Sequence, residues 1–232
     1  MKKTIGIIQP GRLGDIIICL PIAKYYSDQG YTVVWPVFEY LAAMLTDRID
    51  YVKFVPVDSN VYKCVKEAKS ILTKIDGIKI FDIAATFPDS DCTDEYVSLG
   101  DGFGEEKFDQ FKYRKCAVPF SEKWKLYVKW NEEKIDALFR EYVKSERYVV
   151  VGLNHSKGKM PIQIETDKQI VELNENHNIF DWIKILKHAS AIVLVDSAMA
   201  NLVEQLNLHN KKILITKPNQ PTPTFKNVWQ IK

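Results

Sequence analysis

Short apolar runs alternate with longer segments whose apolar residues recur at helical spacing. Thr4 to Ile8 reads as a strand, Ile16 to Gln29 as a helix, Thr32 to Trp35 as a second strand after Gly30, and Phe38 to Leu45 as a second helix. Tyr51 to Val55 and Ile78 to Ile83 add two strands, separated by a helical pattern from Val61 to Ile75. Strand alternating with helix implies a mostly parallel sheet.

Pro88 to Glu106 breaks this rhythm. It carries Asp89, Asp91, Asp94, Asp101, Glu105 and Glu106 among Gly100, Gly102 and Gly104, and reads as an exposed acidic loop. Its carboxylates do not match calcium-loop spacing, so solvated surface is the expected role and no metal site is assigned. The aromatic-rich Phe108 to Trp130 region is read as helical, and Asn131 to Lys144 as a charged helix with Ile135, Leu138, Phe139 and Tyr142 on its apolar side. A domain boundary is expected there, giving domains 1–144 and 145–232.

The second part restarts with the strand Tyr148 to Val151, followed by the polar segment Gly152 to Lys159. Ile170 to Leu173, a helix over Phe180 to His188, strand Ala191 to Val195, helix Ser197 to Leu206 and strand Lys212 to Thr216 complete a second βα system. Pro218, Pro221 and Pro223 stiffen the terminal segment, and Phe225, Val228, Trp229 and Ile231 favour docking of its end onto the core.

With 232 residues, 46% of them hydrophobic, the chain can build one large α/β domain or two small ones. The balance of 32 basic against 30 acidic residues gives no electrostatic reason to invoke a nucleic-acid backbone or an anionic membrane. A nucleic acid enters only as a specific acceptor. The first apolar segment is interrupted at Gln9-Pro10 before it can form a signal region, and no stretch approaches membrane-spanning length, so a soluble cytoplasmic protein is expected. Cys19, Cys64, Cys92 and Cys116 lack the spacing of a zinc or redox motif and read as buried free thiols.

Candidate chemistry concentrates in loops after strands, where open α/β sheets collect ligands. Gly11-Arg12-Leu13-Gly14-Asp15 reads as a glycine-bearing loop opening a helix, with the Asp15 carboxylate in its first turn. Unpaired helix N–H groups favour negative charge there, and Asp15 can act as a general base or cap the helix. Asn154, Ser156, Lys157 and Lys159 can offer hydrogen-bond donors and positive charge to a diphosphate, or form a solvated basic loop. Asp196-Ser197 opens another helix, where Ser197 can cap and the N–H groups can meet phosphate. Glu172, ending a predicted strand, is placed to contact a nucleotide base or ribose. A nicotinamide dehydrogenase is disfavoured, because Gly11 and Gly14 do not make GxGxxG and the second strand ends at Trp35-Pro36 without an acidic ribose ligand.

Gly11-Arg12-Leu13-Gly14-Asp15-Ile16-Ile17 with Pro21, Tyr25, Gly30 and Val33-Val34, together with Ile192 to Ala198 and Leu202, resembles the heptosyltransferase-like glycosyltransferase family. The resemblance implies a GT-B-like fold, two Rossmann-like domains with mostly parallel sheets facing a cleft. It further implies transfer of a sugar from a nucleotide-diphosphate sugar to an acceptor hydroxyl, with inversion and no metal or other cofactor. In that pattern Asp15 is the base, Gly14 its loop glycine, and Asp196 with Ser197 the donor-side pair. The family's phosphate-contacting histidine falls at Asn201, which donates a hydrogen bond without positive charge, and its small glycine at Ala198. These departures keep a catalytically inactive nucleotide or nucleotide-sugar binding protein as the alternative.

Overall fold

A computed structural model describes residues 3–98, 106–155, 158–216, 222–226 and 229–231. The chain divides into two compact units, Met1–Lys129 and Trp130–Lys232.

The first unit begins with β1 (Thr4–Ile8), α1 (Leu13–Asp28), β2 (Thr32–Phe38), α2 (Glu39–Thr46), β3 (Lys53–Val57), α3 (Cys64–Leu72) and β4 (Lys79–Asp82). All pairings are parallel, in the order β3-β2-β1-β4. The chain therefore works outward from β1 to β3, then crosses back to place β4 on the other flank of β1. Such a reversal is where open α/β sheets collect ligands, beyond the carboxyl ends of β1 and β4. The strand β2 continues past Pro36, where the sequence pattern ended it. Only Thr32, Val33 and Val34 pair with β1, so Pro36 lies where β3 is the remaining ladder partner and its missing N–H costs no bond to β1.

The helix α1 is apolar on most sides, burying Ile16, Ile17, Ile18, Leu20, Ile22 and Ala23, and so must be covered by more than the sheet. Its cover comes from α5 (Phe108–Lys115) and a 3₁₀ turn at Phe120–Trp124. The expected helical run from 108 to 130 is thus two short pieces. Tyr113 donates to the Ile18 carbonyl at 2.8 Å, and the fully buried Lys123–Asp109 pair, 2.6 Å apart, ties the 3₁₀ turn to α5. Preceding them, Thr93–Ser98 forms α4 within the segment expected to be an acidic loop. Several of its acids are paired: Asp91 with Lys69, Glu95 with Arg114 and Lys115, and Glu106 with Arg114. Asp101 and Glu105 lie outside the described residues.

The second unit contains α6 (Glu132–Tyr142), β5 (Tyr148–Gly152), the hairpin β6 (Asn154–His155) and β7 (Gly158–Lys159), β8 (Gln169–Glu172), α7 (Ile183–His188), β9 (Ala191–Val195), α8 (Ala198–Gln205), β10 (Lys211–Ile215) and β11 (Trp229–Ile231). Its main sheet is parallel throughout, in the order β11-β10-β9-β5-β8. Here the topological reversal falls between β5 and β9.

The boundary lies before α6 rather than after Lys144. Asn131 caps α6 by accepting from the Lys134 N–H at 3.0 Å, while Ile135 and Leu138 pack into the core with Tyr148, Val150, Trp182, Leu186 and Leu194. The apolar face of α6 thus has its partners after the predicted boundary, not before it. The terminal segment docks as expected from its aromatic residues and adds a strand. Glu204 on α8 accepts from the Lys226 N–H at 2.6 Å and from Trp229 Nε1 at 2.9 Å, and Trp229 and its neighbours pair with Lys212 to Leu214.

Candidate active site

In the first unit, the chain ends of β1 and β4 meet: the Ile83 N–H, just beyond β4, donates to the Ile8 carbonyl that ends β1 at 3.1 Å. Gln9 follows β1 and is fully buried; its Nε2 donates to the Gly11 carbonyl at 2.9 Å, and its own carbonyl accepts from Trp35 Nε1 at 3.1 Å. These bonds hold the loop while it turns into α1. At Gly11 an added Cβ would stand 2.1 Å from the Phe38 ring, so this position admits no side chain unless Phe38 moves. The left-handed residue of the loop is Arg12, with φ 60°, and its guanidinium lies 5.4 Å from the Phe87 ring centroid. Gly14 is not the loop glycine expected from the motif: it lies in the first turn of α1.

Asp15 stands in that same turn. The helix start has no side-chain cap, and the Asp15 and Ile16 N–H groups both bond the Arg12 carbonyl. Capping therefore does not occupy the Asp15 carboxylate. Its side chain is 16% exposed, and its Oδ1 lies 3.6 Å from Nζ of Lys112 on α5. Lys112 Nζ also donates to Gln9 Oε1 at 2.5 Å and to the Ile83 carbonyl, just beyond β4, at 2.9 Å. A nearly buried ammonium thus joins the ends of β1 and β4 and faces the carboxylate of α1.

Sequence reasoning did not single out Gln9 or Lys112. Gln9 carried a weak signal, being an amide directly after an apolar strand. Lys112 carried none, since a lysine in FDQFKYRK reads as solvated helix surface.

In the second unit, Asn154 on the hairpin after β5 and Asp196-Ser197 after β9 flank the reversal between those strands. A Cβ at Gly152 would stand 2.8 Å from a Leu194 methyl and 2.9 Å from a Leu173 methyl, so a side chain there would have to displace both leucines. Ser156 and Lys157 lie outside the described residues.

The remaining residues are brought together in a different combination from the expected one. Lys159 Nζ is 3.0 Å from Glu172 Oε2, with side chains 55% and 63% exposed, so the expected phosphate cation and the expected nucleoside contact hold each other. Ser197 occupies the N-cap position of α8, yet its hydroxyl makes no capping bond. Asn201 is buried, and its Nδ2 donates to the Ser197 carbonyl at 3.0 Å. One of the two N–H donors that made Asn201 a phosphate contact is thus directed to the backbone, while its Oδ1 is buried without a hydrogen-bond partner among the described residues. Among the described residues, no three His, Cys, Asp or Glu side chains converge as a metal site.

No family model and no curated protein matches the chain. Solved structures do resemble it. A family 9 glycosyltransferase from Veillonella parvula aligns with 99% of this chain and 86% of its own, at 10% identity and TM-score 0.60. The ADP-heptose LPS heptosyltransferase II of E. coli aligns with 99% of this chain and 90% of its own, at 12% identity and TM-score 0.58. The E. coli heptosyltransferase WaaC, solved with ADP-2-deoxy-2-fluoro heptose, aligns with 99% and 92%, at 13% identity and TM-score 0.51. At these identities the likeness is one of fold: this chain shares the GT-B-like α/β architecture of those glycosyltransferases.

Proposed function

We propose that this protein is a glycosyltransferase, a divergent relative of the heptosyltransferases, moving a sugar from a nucleotide-diphosphate sugar to an acceptor hydroxyl. The observation that carries this reading is Asp15, a carboxylate largely shielded from water at the β1/β4 reversal, engaged by one ammonium at 3.6 Å and by no hydrogen bond among the described residues. Its lone pairs are available to an incoming hydroxyl. The fold shared with a heptosyltransferase solved with a nucleotide-sugar analogue supports the donor class.

In this reading, Asp15 accepts the hydroxyl proton as the acceptor oxygen attacks the anomeric carbon. The bond from that carbon to the diphosphate breaks, and the nucleoside diphosphate departs with the electron pair. A single displacement inverts the anomeric configuration. Charge on the leaving diphosphate is met by Lys157, Lys159, Ser197 and the N–H groups opening α8, without calling on a metal.

A second reading, a nucleotide-sugar binding protein without transfer activity, draws support from the donor side. Lys159 pairs with Glu172 at the surface and one N–H of the Asn201 amide donates to the Ser197 carbonyl, so two expected phosphate contacts are already partly engaged.

Calorimetry across nucleoside diphosphates and nucleotide sugars, followed by turnover of whichever donor binds, separates these readings. For the enzyme, Asp15→Asn lowers turnover by about 10²- to 10⁴-fold while donor affinity stays within about twofold. Donor binding without turnover in the wild type favours the inactive protein. Absence of binding to every donor overturns both.

A further inference from the structure

Lys112 is a residue to which the sequence assigned no role, and three acceptors converge on its ammonium. Two are close: Gln9 Oε1 at 2.5 Å and the Ile83 carbonyl at 2.9 Å. The third, Asp15 Oδ1 at 3.6 Å, lies beyond ordinary hydrogen-bond length. The ammonium is thus anchored independently of the carboxylate it faces. The Gln9 amide can serve in only one orientation, because its Nε2 donates to the Gly11 carbonyl and its oxygen must therefore meet the ammonium. The stem of Lys112 is held just as firmly, since the adjacent Tyr113 donates to α1 and Asp109 in the same helix binds Lys123.

We propose that Lys112 is the positioning residue for Asp15. This role rests on the transferase reading and is a defined one. The fixed positive charge of Lys112 holds the Asp15 side chain toward the strand ends without occupying its lone pairs. A lysine anchored only by Asp15 would swing with it. Here Gln9 and Ile83 fix the charge to the two strand ends, so the carboxylate is referenced to the sheet. When Asp15 takes the acceptor proton, the ammonium keeps two backbone-fixed or buried acceptors, and its burial remains compensated.

The test combines two measurements on the full chain. In the first, turnover of the bound nucleotide sugar is followed for Lys112→Met and Lys112→Ala. Expected is a fall in kcat of about tenfold or more with the donor KM within about twofold. Ethylammonium should restore part of the Lys112→Ala rate, and ethanol of similar size should not. In the second, urea unfolding of Asp15→Asn, Lys112→Met and the double variant should be non-additive.

If Lys112→Met does not fold, Lys112→Gln takes its place, being neutral while still able to donate to the Ile83 carbonyl. Wild-type kcat in a folded neutral variant, or additive unfolding effects, overturns the proposal. Equal rescue by ethanol also overturns it, since it makes Lys112 a space-filler. A wild type without turnover on any donor it binds, but with non-additive unfolding, overturns the transferase reading and leaves the Lys112–Asp15 relation supported.

Discussion

Lys112 and Gln9, 103 residues apart in the chain, meet in a buried hydrogen bond that joins helix α5 to the end of β1. Gln9 also secures Gly11, so a single amide links the ammonium to the loop that opens α1. Gln9→Leu removes both bonds, leaving a buried ammonium with fewer acceptors and the Gly11 carbonyl without its donor. A loss of about 3 kcal/mol is expected by urea unfolding, the range of a buried polar group stripped of its partners. A loss below about 0.5 kcal/mol would show that water replaces the amide.

Gly11 and Phe38 form a steric pair. Gly11→Ala sets a methyl 2.1 Å from the Phe38 ring and is expected to destabilise by about 1–3 kcal/mol. Phe38→Leu in the same chain should recover part of that loss. Thermal unfolding of the two single variants and the double reads this coupling, and simple additivity would place the strain elsewhere.

All four cysteines are buried. Burial pushes the Cys19 thiol up to about 12, with the nearby Lys112 ammonium opposing only part of the effect, and Cys64, Cys92 and Cys116 are likewise raised by burial. Thiolate is the reactive form, so iodoacetamide at about pH 8 should leave the folded protein unmodified and alkylate every cysteine in denaturant. Mass spectrometry counts the adducts. Rapid alkylation of Cys19 without denaturant would mean that the covering of α1 by α5 opens readily.

The Lys159–Glu172 pair sets a sign for donor binding. Glu172→Gln releases the Lys159 ammonium while keeping a polar side chain of the same size. If Lys159 serves phosphate, calorimetric affinity for nucleoside diphosphates should rise severalfold, and the gain should shrink with added salt. If Glu172 instead contacts ribose, affinity should fall.

Lys212 supplies a pH dependence. Burial lowers its pKa from the ordinary lysine value of 10.5, opposed in part by Glu204, and its Nζ donates to the Leu208 carbonyl at 2.6 Å. The unfolded chain therefore holds this proton more tightly than the folded one. The resulting destabilisation is complete below the folded pKa and is relieved as pH rises towards the unfolded value. Unfolding midpoints of wild type and Lys212→Met, taken between about pH 8 and pH 10.5, should shift relative to one another in favour of the wild type as pH rises. A constant difference would refute the assignment.

Periodicity sufficed for most of the βα alternation because it depends on residues within a few positions of one another. Thr4–Ile8 and Ala191–Val195 are strands where apolar runs lie between turn signals, and Asp15 enters the first turn of a helix because glycine and an apolar stretch flank it. Local order likewise accounts for the βα alternation from which two parallel sheets were expected. What local pattern could not encode was which surfaces find each other. The apolar face of α6 looks the same whether it packs on the unit before it or after it, and Ile135 and Leu138 declare the choice only by burial beside Trp182. Lys112 reads as solvent-facing until β4 crosses to the far flank of β1 and brings Ile83 and Gln9 to its ammonium. Lys159 and Glu172 read as separate ligand contacts until β8 pairs with β5 and sets them 3.0 Å apart. The sequence alone determined most of the βα alternation and the place of Asp15, but not α4, the break after α5 or the β6–β7 hairpin, which lie where apolar periodicity is weak. Strand order and long-range packing decided the electrostatic partner of Asp15, because an ion pair requires proximity that sequence separation does not measure.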